Sequence, residues 1–438
     1  MRSRALWVAA GACALALGAC GGDDGGGGAG GGGDEAAQVE GAKVIDPASM
    51  DSPPKGTVKY CQGKDTTGIA KELIKDFNAK FGADGYNATL TEFPASADQQ
   101  RQQFIQRQQA KSDDCDVFSA DVIWTAEFAS QKWLYDVTPY IEQRQGDFIE
   151  APLETVNYGD KYWGIPQTSD TSFIFYKRDE TKQPPETWQA LYEAAAQGDG
   201  IVYQGAPYEG LTCNFLEIMF AAGGEVLNED GTESTFDSPE TVKALQFMVD
   251  GINDGAAPKD VTTYMEPETD QSWSSGNYSF MRNWTYAYAA NNAEGSEVAG
   301  DYDVAAPPAF EGGAPEGVGV LGGHNSVISV YTKNPGLALK FSDFFASEEF
   351  QQKALAEFSQ AAVIPSAYED PAAKKAVPYS DQLLEAMQQA RSRPVSPVYP
   401  QISQAIYKNV NDALAGRTSP EEAVKNADEE IQAALETF

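Results

Sequence analysis

From Thr57 to Trp124 the chain switches repeatedly between two hydrophobic periods, and that alternation restricts its fold more than any other feature. "TVKYC" is a short β-rich run. It is followed by "IAKELIKDFNAKFG", where Ile69, Leu73, Ile74, Phe77 and Phe81 recur at helical spacing and Gly82 stands where a helix stops. "NATLTEF" alternates as a second strand, "DQQRQQFIQRQQAK" reads as a polar helix, and "DVFSADVIW" is a third strand run. This β-α-β-α-β order predicts an α/β sheet layered with helices. Ligands of such sheets sit at the carboxyl ends of the strands, near which Asp65, Phe93, Pro94, Asp121 and Trp124 fall.

Roughly 380 residues follow the start of this pattern, more than one core usually accommodates, so two lobes are expected. "AEFASQKWL" reads as a helix and "SFIFYKRD" as a strand, and "PPETWQALYEAAAQG" reads as a helix opened by Pro-Pro. Asp230-Gly231 marks a hairpin turn, and Asp237-Ser238-Pro239-Glu240 carries an N-cap with an early proline. "DYDVAAPPAF" is a strand ending on a double proline, and a Gly/Pro loop leads from it to "SVISVY", another alternating strand. Helices start at Asn334-Pro335, in "YPQISQAIYKNVNDALAG" and at Ser419-Pro420. No internal repeat is present.

Arg2 and Arg4 precede the apolar run "ALWVAAGACALALGA", which is short and rich in small residues, as in a signal peptide. It ends in Leu17-Gly18-Ala19-Cys20, which resembles the bacterial lipoprotein box; that resemblance implies removal of residues 1–19 and lipid on Cys20. The alternative is an ordinary signal peptide whose cleavage site contains a cysteine. Residues 20–56 are dominated by glycine, acids and proline and read as a tether, averaging roughly 35 Å in reach as a flexible coil. With 31 Lys and Arg against 65 Asp and Glu the net charge is −34, which repels nucleic acid and anionic lipid headgroups and argues against a nucleic-acid partner. Once Cys13 leaves with the signal and Cys20 is lipidated, Cys61, Cys115 and Cys213 remain. Cys61 and Cys115 stand at strand ends of one predicted sheet, where an extracytoplasmic setting permits a disulfide; Cys213 is then a buried thiol.

Most enzyme and cofactor classes find no support. "GVGVLG" fits the dinucleotide fingerprint, but a Gly/Pro loop precedes it and a strand follows, the reverse of what that site needs. "NEDGTES" lacks the full calcium-loop pattern. His324 is the one histidine, so a triad hydrolase and a metal site are both disfavoured, and no cofactor is expected. A glycoside hydrolase built on a carboxylate pair stays open, since acids are abundant and none is singled out. "FMRNWTYAY" interleaves Trp284, Tyr286 and Tyr288 with Arg282 and Asn283. It supplies flat apolar faces and hydrogen-bonding groups together, as a polyol ligand requires; equally, Trp284 and Tyr288 could be core residues on one helix face.

The set "DVFSADVIWTAEFASQKWLYDVTPY", "YWGIPQTSDTSFIFYKRD", "GGEVLNEDGTESTFDSPETVKALQFM", "SGNYSFMRNWTYAY", "LGGHNSVIS" and "SRPVSPVYPQIS", in this order, resembles the maltose-binding-type solute-binding proteins of ABC sugar importers, in particular their trehalose/maltose-binding members. The resemblance implies a two-lobe, periplasmic-binding-protein-like α/β fold with a ligand cleft and three hinge crossings. Residues 57–167 plus 308–363 would form the N-lobe and residues 168–307 plus 364–438 the C-lobe. The crossings would fall near Gln167–Thr171, Ala306–Phe310 and Val363–Ser366. The implied function is capture of a disaccharide by a lipid-anchored monomer and its delivery to the transmembrane subunits of a permease, without catalysis. The same fold tuned to another solute is the further alternative. Sugar contacts carried over by motif are Asp121 and Glu127, Asp170 with Thr168, Trp284 as stacking platform with Tyr286 and Asn283, and Arg393; Asp65 and Arg101 occupy loop positions that often contribute. In "LGGHN", Gly323 and His324 stand where trehalose/maltose binders place glycine and then tryptophan, so His324 is either a replaced platform or a hinge-loop residue without ligand contact.

Overall fold

A computed structural model describes residue 39 and residues 41–437. Residues 1–19, Cys20 and the tether up to residue 38 lie outside the described residues. Two sheets organise the rest. In the first, strands β1 (Gly56–Gln62), β2 (Tyr86–Glu92), β3 (Val117–Asp121), β6 (Ile165–Asp170) and β11 (Gly322–Ile328) stand in the order β2-β1-β3-β11-β6. β1 runs parallel to both β2 and β3, and β11 is antiparallel to β3 and β6. The second sheet has the order β10-β7-β9-β8, with β7 (Ser172–Lys177), β8 (Ile201–Val202), β9 (Phe280–Trp284) and β10 (Tyr302–Ala305). A two-residue ribbon, β4 (Asn157–Tyr158) with β5 (Lys161–Tyr162), stands apart. Helices cover both sheets, giving two α/β lobes.

β6 belongs to the first sheet and β7 to the second, so the chain changes lobes at Thr171. It returns later than expected. Instead of leaving near Ala306–Phe310, it stays with the second lobe: Trp188 donates its N–H to Ala309 O (2.8 Å) and Ala314 to Ala221 O (2.8 Å), and only at β11 does it join the first sheet.

Local signals account for most elements. The helix Ile69–Phe81 buries Ile69, Ala70, Leu73 and Phe77, and its N-terminal turn is held by Asp65, whose carboxylate accepts N–H bonds from Gly68 (2.8 Å) and Lys71 (3.1 Å). Ser238 caps the helix Pro239–Asn253, and Asn228 O accepts the Gly231 N–H (3.0 Å) to close the predicted hairpin turn.

Five expectations need correction. The helix after Pro184-Pro185 begins only at Trp188, because Thr187 caps it from the Ala190 N–H (3.1 Å). The helix expected over "AEFASQKWL" is Thr125–Ser130, closed by Lys132 in a left-handed conformation (φ 57°). Strand β11 starts at Gly322, not in "SVISVY", since Gly322, Gly323 and His324 already pair with β6. "FMRNW" is a strand, not a helix face, paired to β7 and β8. Finally, residues 41–56 are packed on the first lobe. Ile45 is buried and donates its N–H to Asp136 O (3.0 Å), and the turn Pro47–Met50 is capped by Asp46 and abuts Gly336. Ile45 and Met50 give that stretch the apolar contacts that a glycine-rich coil lacks.

Candidate functional site

A cavity of ≈ 480 Å³ opens where the carboxyl ends of β1 and β3 face the second sheet. Lys64, Thr66 and Thr67, in the loop after β1, form one wall with Gln100 and Asp121; Tyr208, Glu209, Glu266, Asp270, Trp284 and Tyr286 form the opposite one. Asp170, Gly322, Gly323, His324 and Arg393 lie at the junction between the lobes.

Arg393 is buried between two carboxylates. Its Nη1 donates to Glu209 Oε1 (2.8 Å) and its Nη2 to Asp121 Oδ1 (3.1 Å) and Leu321 O (3.3 Å). Glu209 is fixed in turn by the hydroxyls of Tyr399 (2.6 Å) and Ser403. Burial pushes the Glu209 carboxyl up, against the pull of Arg393.

Asp170 ends β6 and directs Oδ1 at Thr171, just before β7, and at Thr285, just after β9, accepting from Thr171 N (2.9 Å), Thr285 N (3.1 Å) and Thr285 Oγ1 (2.7 Å). Burial outweighs those bonds and pushes its carboxyl up to about 7. Asp270 accepts from Asn283 Nδ2 (2.9 Å), Asn291 Nδ2 (3.1 Å) and Tyr286 Oη (2.8 Å); burial again pushes it up, to about 6. Trp284 leans against Gly322, where an added Cβ would stand 3.0 Å from Cζ3. The guanidinium of Arg282 covers one face of the indole, 4.3 Å from its centroid. His324 pairs with Asp121 across β3 and with Thr168 across β6; burial lowers its pKa, while Asp121 opposes that shift.

Of the residues carried over by motif, Asp121, Asp170, Trp284, Tyr286, Gly323, His324 and Arg393 line this one cavity. Five do not. Asp65 caps a helix. Arg101 and Glu127 pair with each other (Nε to Oε2, 2.7 Å), Thr168 is buried in β6, and Asn283 orients its neighbours, joining Asp270 to the Trp284 N–H (2.8 Å). Tyr208, Glu209, Glu266 and Asp270 were not found from the sequence. Glu209 opens the helix Glu209–Ala222, all of whose residues are buried, the polar Thr212, Asn214 and Glu217 among them, so no local pattern singles it out. Among the described residues no group of three or more His, Cys, Asp or Glu is placed to hold a metal ion. Cys61 and Cys115 form a disulfide, and Cys213 is free and buried beside Glu209.

The family model described as bacterial extracellular solute-binding protein matches residues 63–352. A probable ABC transporter-binding protein of Deinococcus radiodurans is 32% identical over 367 residues, covering 79% of this chain and 86% of the relative. The maltose-bound structure of T. maritima MalE3 has a TM-score of 0.82 and 31% identity, covering 86% of this chain and 99% of that one. A solute-binding protein from Thermotoga lettingae bound with α-D-tagatose has a TM-score of 0.78 and 24% identity, covering 87% of this chain and 100% of that one.

Proposed function

The chain belongs to the bacterial extracellular solute-binding protein family, and from that premise we propose that it captures a sugar for an ABC importer. The ligand is a disaccharide of the trehalose or maltose kind, delivered to the membrane subunits of the permease, with Cys20 as the lipid anchor. The observation that carries this reading is the pairing, in one interlobe cavity, of the Trp284 and Tyr286 rings with Asp121, Asp170 and Arg393. Aromatic faces suit the C–H surfaces of a sugar ring, and carboxylates and a guanidinium suit its hydroxyls. His324 and Gly323 border the same space and contact the ligand, while Asp65, Arg101, Glu127, Thr168 and Asn283 hold the lining from behind. Nothing in this arrangement requires covalent chemistry. Closure of the lobes over the sugar is the signal read by the permease, a population shift set by the sugar's preference for the closed form.

The test is a titration of the protein with trehalose, maltose, sucrose and glucose, read by intrinsic tryptophan fluorescence. A saturable change with one disaccharide is expected, and Trp284→Ala should weaken it by roughly a hundredfold, the scale of a central aromatic contact. Silence toward all four sugars, or undiminished binding by a folded Trp284→Ala protein, would overturn the reading.

A further inference from the structure

We infer that Arg282, which does not itself line the cavity, is a positioning residue that holds the Trp284 ring ready for stacking; the inference rests on the sugar-binding reading above. Arg282 and Trp284 are two residues apart on β9, so both project from the same face of the sheet. The guanidinium carbon lies over the indole at 4.3 Å from its centroid, while the half-buried indole also borders the cavity. Arg282 therefore acts as a plate behind the platform.

The plate is itself fixed. Nε donates to Glu217 Oε2 (2.9 Å), Nη2 to Glu217 Oε1, and Nη1 to Gln204 Oε1 (2.8 Å), so the bidentate fork sets the plane of the guanidinium. Both partners of the ion pair are 0% exposed. Replacing such a buried pair with apolar residues is often neutral or stabilising, so packing alone does not account for it. Its geometric effect does: a flat, immobile cation behind the ring removes alternative rotamers of Trp284 before ligand arrives. That lowers the ordering cost of binding. Gly322 completes the arrangement at the ring edge, where a Cβ would press on Cζ3. Glu217 Oε1 also accepts the Val320 N–H (3.5 Å), which ties the plate to the segment that leads into β11.

The experiment uses the full chain with Arg282→Met plus Glu217→Met, which removes both charges together, and separately Arg282→Lys, which keeps the charge and loses the fork. Emission of Trp284 is isolated by subtracting the spectrum of a matched Trp284→Phe protein in each background. Without ligand, acrylamide quenching of that emission is expected to rise about twofold in both variants, and maltose or trehalose affinity to fall about tenfold. Unchanged quenching in a variant that melts cooperatively overturns the inference, as does a folded Arg282→Lys protein with wild-type affinity. If the wild-type protein binds neither sugar, the sugar reading falls by itself, and the ligand-free quenching still decides the role of Arg282.

Discussion

Asp170 stands at the lobe junction and also lines the cavity in which we propose that sugar binds. Its three hydrogen bonds all converge on Oδ1, which ties β6 to Thr171 and Thr285. Because burial raises the folded-state value to about 7 from an ordinary 3.8, the folded protein holds the Asp170 proton more tightly than the unfolded chain does. Stability then falls as pH rises from about 4 to about 7, the reverse of a salt-bridged carboxylate. Asp170→Asn keeps an oxygen for the three donors and removes the charge. Its melting temperature, relative to wild type, should therefore gain more at pH 8 than at pH 4.5 in scanning calorimetry. A gain that is flat or larger in acid would contradict this. In the same variant sugar affinity should fall roughly tenfold, the value of one charge-assisted hydrogen bond. At this scale the sequence was informative where a short motif carried the residue, as for Asp170 in "PQTSD" and Arg393 in "SRPVSPVY". It was silent for Glu209 and Asp270, which reach the cavity through tertiary contacts with Arg393 and with Asn283 and Tyr286 that no local pattern encodes.

Elements were legible when one local period decided them. β1, the helix Ile69–Phe81, β2, the helix Ala97–Gln109 and β3 follow from the alternation of the first segment, whose strands pair in one sheet and whose helices bury Leu73, Phe77 and Phe104. The start of β11 and the strand character of β9 were not legible, for a different reason. Gly322-Gly323-His324 carries little strand propensity and is held in the sheet by pairing with β6, joined from His324 onward by β3, and "FMRNW" is claimed by β7 and β8, partners remote in sequence. The disulfide belongs to this scale as well: it links Cys61 in β1 to Cys115, just before β3, across a separation of 54 residues. In the chain-entropy model such a closure contributes about 4 kcal/mol. A Cys61→Ser, Cys115→Ser protein should lose about that much stability in denaturant unfolding. It should keep most of its sugar affinity, because Asp121 stands at the far end of β3 from the bridge. Loss of affinity without loss of stability would mean that the bridge acts on the cleft and not on the unfolded chain.

At the scale of the whole molecule, Arg393 ties the two lobes together across the cleft. Arg393 holds Glu209, at the start of a second-lobe helix, and Asp121, at the end of β3 in the first lobe. The two halves of this bridge are not equivalent. Glu209 is clamped by Tyr399 and Ser403 within the second lobe, so Arg393 stays paired and the fold is maintained when Asp121 loses its charge. Asp121→Asn should thus act on the balance between open and closed lobes. An interlobe pair worth about 1.4 kcal/mol changes that balance tenfold, and because Arg393 is buried the effect is weakly screened by salt. Small-angle scattering of the ligand-free variant should give a larger radius of gyration than wild type, at low and at moderate ionic strength alike. Saturating sugar should then contract both proteins toward a common value. An unchanged ligand-free radius would place Arg393 and Asp121 in the cleft as ligand contacts only, with no part in setting how far the lobes stand apart. A radius that grows only at high salt would instead assign the tie to exposed charges elsewhere on this acidic chain, whose net charge is −34.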